Sequence, residues 1–372
     1  MHHTGGVTHD VSLPPPLVDV EAVVLVGGKG TRLRPLTMSA PKPMLPTAGV
    51  PFLAHLLSRI QAAGVQRVIM GTSYLAETFS EYFGDGERLG LELEYVVEDE
   101  PLGTGGAIRN VAKHLRSEHV LVFNGDVLAG TDLTAVVGTH RRTEADVTLH
   151  LVRVSDPRAY GCVPTDADGG VLQFVEKTDD PPTDQINAGC YVFRRDVIEA
   201  IPGGRPVSVE RETFPALLAA GARVSGYVDA SYWRDMGTPE DLIRGSADLV
   251  RGIAPSAALP GPTGESLVLP GAEVAEGAVV VGGTTVGAGC QVGPGARLEG
   301  ALLFDGVSVG AGAVVEHSVL GAGSVVEAEA LVQDSVVGDR AVIGSHCELR
   351  HGMRVWPDVA LPPGALRFSA DV

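Results

Sequence analysis

Short apolar runs alternate with helical patterns through the first two thirds of the chain. Residues 21–26 form an apolar run that ends in glycine, as a buried parallel strand does, and residues 51–63 place their apolar side chains on one helical face. Further strands are predicted at 67–71, 119–123, 146–154, 186–193 and 223–228, and a further helix at 239–249. Strands that alternate with helices predict a doubly wound α/β domain that binds ligands at the carboxyl ends of its strands.

Beyond residue 265 the sequence repeats with a period of six. Aliphatic residues recur six apart from Val268 to Leu298, and three later runs end at Val315, Val332 and Val355, with one-residue slips between the last runs. Small residues, mainly glycine and alanine, fill the positions between them. One inward aliphatic side chain per six residues is typical of a left-handed parallel β-helix, in which each coil has three short strands as its flat sides.

These patterns divide the chain into five parts. Residues 1–18, with three consecutive prolines, are predicted to be a flexible leader, and residues 253–265, rich in Pro, Ala and Gly, a linker. The α/β domain is predicted over residues 19–252, the β-helix over 266–362 and a tail over 363–372. Because the β-helix carries no candidate for the chemistry, we expect it to set the assembly of a homo-oligomer.

Composition and charge narrow the class of protein. The net charge of −18 argues against nucleic acid or an anionic membrane as a partner, and no apolar run approaches the ~18 residues of a membrane span. The four cysteines form no CxxC pair and the N-terminus has no secretory pattern, so a cytoplasmic location is expected. From Ala22 to Ala76 there are basic residues but no acidic ones, which predicts a site for a small anion.

A glycine-rich, basic motif follows the first predicted strand. It runs Leu25-Val26-Gly27-Gly28-Lys29-Gly30-Thr31-Arg32-Leu33-Arg34 and continues at Pro41-Lys42-Pro43. The glycines allow backbone N–H groups to approach a triphosphate, and Arg32 and Lys42 can offset charge that develops at phosphorus. No Gly-Lys-Ser/Thr triplet ends the motif, and Leu33 stands where a dinucleotide fingerprint has Gly or Ala, so it is neither of those phosphate loops.

This motif resembles the signature of the sugar-phosphate nucleotidyltransferases, and the resemblance extends from about Val20 to the C-terminus. Within that family the chain resembles the branch that transfers GMP from GTP to mannose 1-phosphate, which yields GDP-mannose and pyrophosphate. The resemblance implies a Rossmann-like nucleotidyltransferase domain, a C-terminal left-handed β-helix of hexapeptide repeats, Mg²⁺ as cofactor, and catalytic roles for Arg32 and Lys42. Val26 departs from the Ala of many relatives outside the mannose branch.

The nucleotide site is expected to include the stretch from Glu98 to Gly106. Relatives that use pyrimidine nucleotides carry Gln where this chain has Glu98, and an ionised carboxylate can accept two bonds from the N1–H and N2 amino groups of guanine. Glu98 as one of several solvated acids remains an equal alternative. The expected nucleotide-binding residues are Leu25, Gly27, Gly28, Gly30, Thr31, Arg32, Glu98, Pro101, Gly103, Thr104, Asn124 and Asp126.

The resemblance also implies a metal site and a sugar-phosphate site. Asp126 and Asp235 would converge on Mg²⁺, an ion that prefers carboxylates together with substrate phosphate oxygens. Either aspartate alone would more often be a turn or cap residue. The sugar phosphate would be held by Gly161, Glu176, Lys177 and Asn187. The alternative for this group is an exposed Glu–Lys ion pair beside a turn asparagine.

Two rival functions stay open at this point. No residue distinguishes mannose from glucose, which differ only at C2, so a glucose-1-phosphate thymidylyl- or uridylyltransferase is the rival enzyme. The rival from another class is a regulatory homologue that binds sugar nucleotide without turnover. Arg32, Lys42, Asp126 and Asp235 are all present, which favours an enzyme over that homologue.

Overall fold

A computed structural model describes residues 16–73 and 75–367 of the chain. Most of the predicted leader and residues 368–372 of the predicted tail therefore lie outside the described residues. Leu17, near the end of the predicted leader, is 3% exposed, and its amide donates to the carbonyl of Ala63 at 2.9 Å. The ordered packing of the described chain thus begins before the first strand.

The first domain contains a seven-stranded sheet. Its strands, together with two short antiparallel pairs, are β1 Val20–Leu25, β2 Pro46–Thr47, β3 Val50–Pro51, β4 Arg67–Thr72, β5 Glu92–Val97, β6 His119–Asn124, β7 Val127–Ala129, β8 Val147–Arg153, β9 Gln185–Arg194, β10 Val224–Asp229 and β11 Trp233–Asp235. The sheet order is β10-β8-β9-β6-β1-β4-β5, and only β9 runs antiparallel to its neighbours. The pairs β2–β3 and β7–β11 stand apart from this sheet.

Helices cover both faces of the sheet. They are α1 Phe52–Ala62, α2 Ala76–Phe83, α3 Gly103–Asn110, α4 Leu133–Thr143, α5 Arg195–Ala200, α6 Phe214–Ala219 and α7 Pro239–Val250. Val24 of β1 packs in the same core as Leu57 of α1, whereas Val23 packs on the opposite face with Ile108 of α3. Burial on both faces explains the continuous apolar run of β1. The predicted doubly wound α/β domain is confirmed, and no helix among the described residues is long and apolar enough to cross a membrane.

The second domain is a stack of short parallel strands in three sheets. They are β12 Ser266–Val268, β13 Glu273–Val274, β14 Val279–Val281, β15 Thr284–Val286, β16 Gln291–Val292, β17 Arg297–Glu299, β18 Leu302–Leu303, β19 Ser308–Val309, β20 Val314–Glu316, β21 Val319–Leu320, β22 Val325–Val326, β23 Leu331–Gln333, β24 Val336–Val337, β25 Val342–Ile343, β26 Glu348–Leu349, β27 Arg354–Val355 and β28 Ala360–Leu361. Every third strand pairs, in the orders β12-β15-β18-β21-β24-β27, β13-β16-β19-β22-β25-β28 and β14-β17-β20-β23-β26. The predicted β-helix is confirmed.

The one-residue slips in the repeat lie at one corner of the coil. Thr284 stands opposite Ser266, 18 positions earlier, but Leu303 stands opposite Val286, 17 positions earlier. At this corner the first coil has two glycines with positive φ, Gly282 and Gly283, whereas the shorter coils have one such residue: Gly300, His317 or Asp334. The corner can be turned by one left-handed residue instead of two, so the period shortens without disturbing the strands.

The predicted inward aliphatic side chains are buried from Val286 to Val355. Val268 and Val274 differ, because they are 46% and 38% exposed. Both lie in the first coil, and no coil below them covers their side chains. Both still occupy the inward register, opposite the buried Val286 and Val292, so their exposure comes from the open end of the stack.

A hydrophobic core joins the two domains. One column of the β12-β15-β18-β21-β24-β27 sheet runs along the register Leu267, Thr285, Leu302, Val319, Val336 and Arg354. The four aliphatic members of this column pack in one cluster with Leu33 and Leu36, which follow the glycine-rich motif, and with Leu242 and Leu249 of α7. The α/β domain therefore rests along one face of the β-helix.

We expect Leu302→Ala to lower the free energy of unfolding by about 2–5 kcal/mol, because Leu302 is 1% exposed at the centre of this shared core. Leu172→Ala is the matched control, since Leu172 is 61% exposed and its truncation is expected to change stability by no more than about 0.5 kcal/mol. Urea denaturation of both variants is the measurement. Equal stabilities would contradict the shared core.

Candidate active site

The glycine-rich motif begins at the carboxyl edge of the sheet, between β4 and β6. The amide of Val26 donates to the carbonyl of Gly71 at 3.0 Å, and the amide of Gly125 donates to the carbonyl of Leu25 at 2.9 Å. A Cβ atom on Gly125 would lie 2.7 Å from that carbonyl oxygen of Leu25, so glycine is required where the end of β6 approaches β1. This approach brings Asn124 and Asp126 beside the motif.

A cleft of about 340 Å³ opens at this edge. Its lining residues are Leu25, Val26, Gly27, Gly28, Gly30, Thr31, Arg32, Lys42, Pro43, Thr104, Asn124, Gly125, Asp126 and Gly237. All the predicted nucleotide-binding residues except Glu98, Pro101 and Gly103 are in this set. The structure therefore brings together predicted residues from Leu25 to Asp126, which are 101 positions apart in the sequence.

Lys42 lies between two carboxylates in this cleft. Its Nζ donates to Asp126 Oδ2 at 2.9 Å and lies 3.7 Å from Asp235 Oδ1. The Lys42 side chain is only 11% exposed. A lysine so buried offsets the charge of the two acids, and at the same time it presents positive charge to the cleft.

Strand pairing holds the two aspartates together. Asp235, the last residue of β11, stands opposite Val127 of β7, and the amide of Met236 donates to the carbonyl of Asp126 at 3.0 Å. Burial raises the pKa of Asp235, and the neighbouring Asp126 raises it further, whereas Lys42 and Arg32 act in the opposite direction. Asp235 Oδ1 is buried without a hydrogen-bond partner. The pair thus includes a buried oxygen acceptor without a hydrogen-bond partner, next to the cleft residue Lys42.

Arg32 approaches the same group from the other side. A Cβ atom on Gly237 would lie 2.8 Å from Arg32 Nη2, so the guanidinium lies directly against the backbone that follows Asp235. Gly30 provides the turn that precedes it, with φ of 54°, and its carbonyl accepts from Thr37 Oγ1 at 2.8 Å. Arg32, Lys42, Asp126 and Asp235 therefore form one cluster.

The predicted base-binding stretch lies at the start of α3. Glu98 Oε2 accepts from the amide of Leu102 at 3.3 Å, and burial raises the pKa of this carboxyl. Thr104 Oγ1 donates to Glu210 Oε2 at 3.0 Å and accepts from the amide of Val209 at 2.9 Å. Gly103 has φ of 66°, and a Cβ atom there would lie 2.7 Å from the carbonyl oxygen of Val207. Contacts with residues 207–210 thus fix Gly103 and Thr104.

Two of the predicted sugar-phosphate residues lie next to the cleft. The amide of Asn187 donates to the carbonyl of Gly161 at 3.0 Å, and Asn187 Nδ2 donates to the Tyr191 hydroxyl at 2.7 Å. Asn187 Oδ1 accepts from the amide of Gly189, and a Cβ atom on Gly189 would lie 3.0 Å from Asn124 Nδ2. Gly189 therefore lies between Asn187 and Asn124, and Asn124 lines the cleft.

The other two predicted sugar-phosphate residues are not part of the cleft lining. Glu176 Oε1 lies 3.3 Å from Arg211 Nη2 in a solvent-accessible ion pair, and Lys177 is exposed. Glu176 and Lys177 follow Val175, which forms an antiparallel bridge with Cys162. The two residues therefore lie close to Gly161, at the rim of the cleft. Only their main-chain position links them to the site.

A larger groove of about 830 Å³ lies between α7 and the β-helix. Three of its arginines already have acidic partners: Arg234 pairs with Asp241 and Asp248, Arg244 with Glu240, and Arg251 with Glu265. The smaller cleft contains the glycine-rich motif and Asp126, and Asp235 with its unpartnered oxygen lies beside it, so this cleft is the better candidate for the active site.

Comparison with known proteins identifies the family. The family model described as nucleotidyl transferase matches residues 21–252, and the model described as GMPPB C-terminal domain matches residues 263–364. The chain belongs to the nucleotidyl transferase family. The family match spans the whole sheet and all four members of the Arg32–Lys42–Asp126–Asp235 cluster.

Three relatives illustrate the similarity of this nucleotidyl transferase to known proteins. It is 65% identical to the mannose-1-phosphate guanylyltransferase of Mycobacterium tuberculosis, over 95% of this chain and 99% of the relative. It is 37% identical to the mannose-1-phosphate guanylyltransferase catalytic subunit beta of Drosophila pseudoobscura pseudoobscura, over 69% and 71% of the two chains. The crystal structure of HddC from Yersinia pseudotuberculosis complexed with GMP-PN has a TM-score of 0.55 at 31% identity, and the match covers 62% of this chain and 99% of that chain.

Asp126 and Asp235 are the candidate metal ligands of this nucleotidyl transferase. Among residues 16–73 and 75–367, no group of three or more His, Cys, Asp and Glu side chains is arranged to hold a metal ion. The Asp126–Asp235 pair nevertheless fits a divalent cation, because it offers oxygen ligands and an unpartnered buried oxygen, and because substrate phosphates complete such sites. A divalent cation is typical of the family, and the donor set is compatible with one.

Sequence reasoning missed several residues that shape the site. Pro43 and Gly237 line the cleft, Glu210 holds Thr104, and Tyr191 holds Asn187. A signal existed for three of them, since each lies within or directly beside a motif that was singled out. Glu210 lies outside the motifs from which the site was predicted, and its contact with Thr104 indicates a supporting role.

Proposed function

We propose that this nucleotidyl transferase transfers GMP from GTP to mannose 1-phosphate and releases GDP-mannose and pyrophosphate. Arg32, Lys42 and Asp126 line one cleft, and Asp235 lies beside it, 3.7 Å from Lys42. This cluster carries the proposal, because it supplies both charge for phosphates and ligands for a cation. The name of the Mycobacterium tuberculosis relative, 65% identical over almost its full length, supports the choice of mannose. The complex of HddC with GMP-PN supports the choice of a guanine nucleotide.

In the proposed reaction, a phosphate oxygen of mannose 1-phosphate attacks the α-phosphorus of GTP. The new P–O bond forms while the bond from the α-phosphorus to the oxygen that bridges to the β-phosphate breaks, and that oxygen leaves with pyrophosphate. The attacking oxygen is already ionised near pH 7, so the reaction needs no general base. Catalysis then depends on alignment of the two substrates and on neutralisation of the negative charge.

The basic residues have distinct proposed roles in that neutralisation. Arg32 would contact the phosphates that leave, because it lies against the backbone after Asp235 at the end of the glycine-rich motif. Lys42 would face the α-phosphate, since its Nζ lies between the two aspartates. Backbone N–H groups of Gly27, Gly28 and Gly30 would approach the triphosphate.

Asp126 and Asp235 are proposed to hold Mg²⁺. When bound there, the ion would polarise the α-phosphate and offset its charge. The unpartnered Oδ1 of Asp235 supports this assignment, because a buried carboxylate oxygen without a partner is costly unless a ligand satisfies it.

The remaining assignments concern the base and the sugar. Glu98 is proposed to accept from guanine, with Pro101, Gly103 and Thr104 forming the turn beside it. Burial of the Glu98 carboxyl supports this role over that of a freely solvated acid. The mannose phosphate is proposed to contact Gly161, Glu176, Lys177 and Asn187. Of these, Asn187 and Gly161 have the stronger support, since they adjoin the cleft.

Partners and location are inferred from composition and surface. We propose that the enzyme is cytoplasmic, that its partners are its two small substrates, without nucleic acid or membrane, and that it forms a homo-oligomer through the β-helix. Outward positions of the second sheet include Ser308, Val325 and Val342, whose short side chains make a face that suits a second copy. Light scattering should give a mass above that of the 38.6 kDa chain. A monomer would refute assembly.

A grid of triphosphates against sugar 1-phosphates, with pyrophosphate release as the readout, tests the proposed function. GTP with mannose 1-phosphate is expected to give the highest kcat/KM. A maximum for dTTP or UTP with glucose 1-phosphate would establish the rival enzyme. Release of no pyrophosphate by any pair, with the protein still binding GDP-mannose, would establish the regulatory homologue.

Replacement of one metal-binding carboxylate tests the role of the aspartates. Asp235→Asn is expected to lower turnover by about 100-fold or more, because it removes a charge from the cation site. The stability of the cation-free protein should stay equal or rise, because burial and the neighbouring Asp126 disfavour the ionised form of Asp235. Asp168→Asn at an exposed aspartate is the control. Turnover of the Asp235 variant equal to that of the control would refute the assignment.

Replacement of Glu98 tests base recognition. Glu98→Gln is expected to lower the ratio of kcat/KM for GTP to that for UTP by about 10-fold or more, because a charged acceptor is lost and a donor is gained. The exposed Glu100→Gln is the control in the same segment. If the ratio is the same in both variants, Glu98 has no part in choosing the base.

A further inference from the structure

One column of outward side chains on the β-helix ends in a residue of a different kind. Leu267, Leu302, Val319 and Val336 are aliphatic and lie in the core shared with the α/β domain, and Thr285 stands between the first two. The last member, opposite Val336, is Arg354 at the start of β27. An aliphatic side chain would continue the pattern, so the arginine marks a place where this face meets polar groups.

Those polar groups belong to the glycine-rich motif. Arg354 Nη1 donates to the carbonyl oxygen of Arg32 at 2.8 Å and to that of Arg34 at 2.6 Å. The short turn at Thr31–Leu33 uses the carbonyls of Gly30 and Thr31 for its own hydrogen bonds, so the other two carbonyls are directed away from it. A single guanidinium nitrogen has two hydrogens and can bridge two such acceptors.

The same stretch is anchored to the β-helix at three further positions, one between the two carbonyls and two after them. Leu33 and Leu36 are 1% and 2% exposed in the shared core, and Ser39 Oγ donates to Asp339 Oδ2 at 2.6 Å. The backbone of Arg32 is therefore fixed from the β-helix, while its side chain extends to Gly237 beside Asp235. The position of the Arg32 guanidinium depends on this backbone.

We propose that Arg354 is a positioning residue for the phosphate-binding motif, so that the β-helix contributes to catalysis by holding the backbone from which Arg32 reaches the cleft. This inference rests on the proposed nucleotidyl transfer, and it revises the expectation that the β-helix serves assembly alone. Arg354 touches no substrate; it acts through the carbonyls of Arg32 and Arg34.

Kinetics of three variants test the proposal in the full-length protein. Arg354→Ala is expected to lower kcat/KM for GTP by about 10- to 100-fold, because small displacements of an aligned group cost rates of this size. The KM for mannose 1-phosphate should stay unchanged, since its proposed residues lie elsewhere. Arg354→Lys, which keeps a charged donor, should recover part of the loss. Arg297→Ala is the control, because Arg297 is an exposed β-helix arginine whose partners are Glu299 and Glu316.

Hydrogen exchange supplies a readout that needs no turnover. In Arg354→Ala, amides in residues 27–41 are expected to exchange faster than in the parent, while those of β1, β6 and the β-helix keep their rates. Ser39→Ala, which removes the second polar link from the α/β side, should act in the same direction. In both the kinetic and the hydrogen-exchange measurements, Arg297→Ala should behave like the parent.

Three results would overturn the proposal. One is an Arg354→Ala variant with the kinetics of Arg297→Ala; another is unchanged exchange in residues 27–41; the third is faster exchange throughout the chain, which would show general destabilisation instead of positioning. Failure of the proposed function is distinguishable from all three. It would appear as a parent enzyme without activity, and the exchange experiment would still report whether Arg354 holds the motif.

Discussion

The burial of Leu33 and Leu36 in the core between the domains is the constraint on which the rest of the site depends. A glycine-rich loop has many backbone conformations open to it, and ordering it is entropically unfavourable. Two leucines just beyond the loop offset part of that cost by leaving water, and each such burial is worth about 1.5–3 kcal/mol. The hydrophobic contact thereby limits where the loop, and Arg32 with it, can lie.

The charged groups at the cleft disfavour the folded protein without ligands, and they favour the binding of ligands. Asp235 Oδ1 is buried without a hydrogen-bond partner, Asp126 lies beside Asp235, and a single buried lysine pairs with both carboxylates. The raised pKa of Asp235 means that its ionised form is disfavoured in the folded protein. A cation would pair with the carboxylates, and a triphosphate would pair with the basic residues. Binding of both would therefore offset the unfavourable burial of charge at the cleft.

Much of the fold could be predicted from the sequence because it rests on local periodicity. The period of six along the β-helix and the apolar run of β1 each follow from burial that repeats at short range. The placement of the motifs at strand ends likewise predicted that Asn124 and the glycine-rich loop would meet. The unpartnered oxygen of Asp235 and the contact of Thr104 with Glu210 were beyond such reasoning, because both depend on side-chain packing between distant segments.

The domain interface corresponds to a pattern in the sequence, namely aliphatic residues at outward positions of the β-helix. Only the structure shows that these residues contact the α/β domain. Outward positions on the second and third sheets include Gln291, Arg297 and Glu299, whereas the outward column of the first sheet is aliphatic, apart from Thr285, until Arg354. Five strand spacings of about 4.8 Å separate the first strand of that sheet from β27, so the two ends of the interface lie about 24 Å apart. Near one end of the interface, Leu269 of the β-helix contacts Gly49. At the other end, Arg354 contacts the glycine-rich motif. The number of coils therefore fixes the reach of Arg354, and removing one coil would displace it by a full strand spacing from the carbonyls it holds.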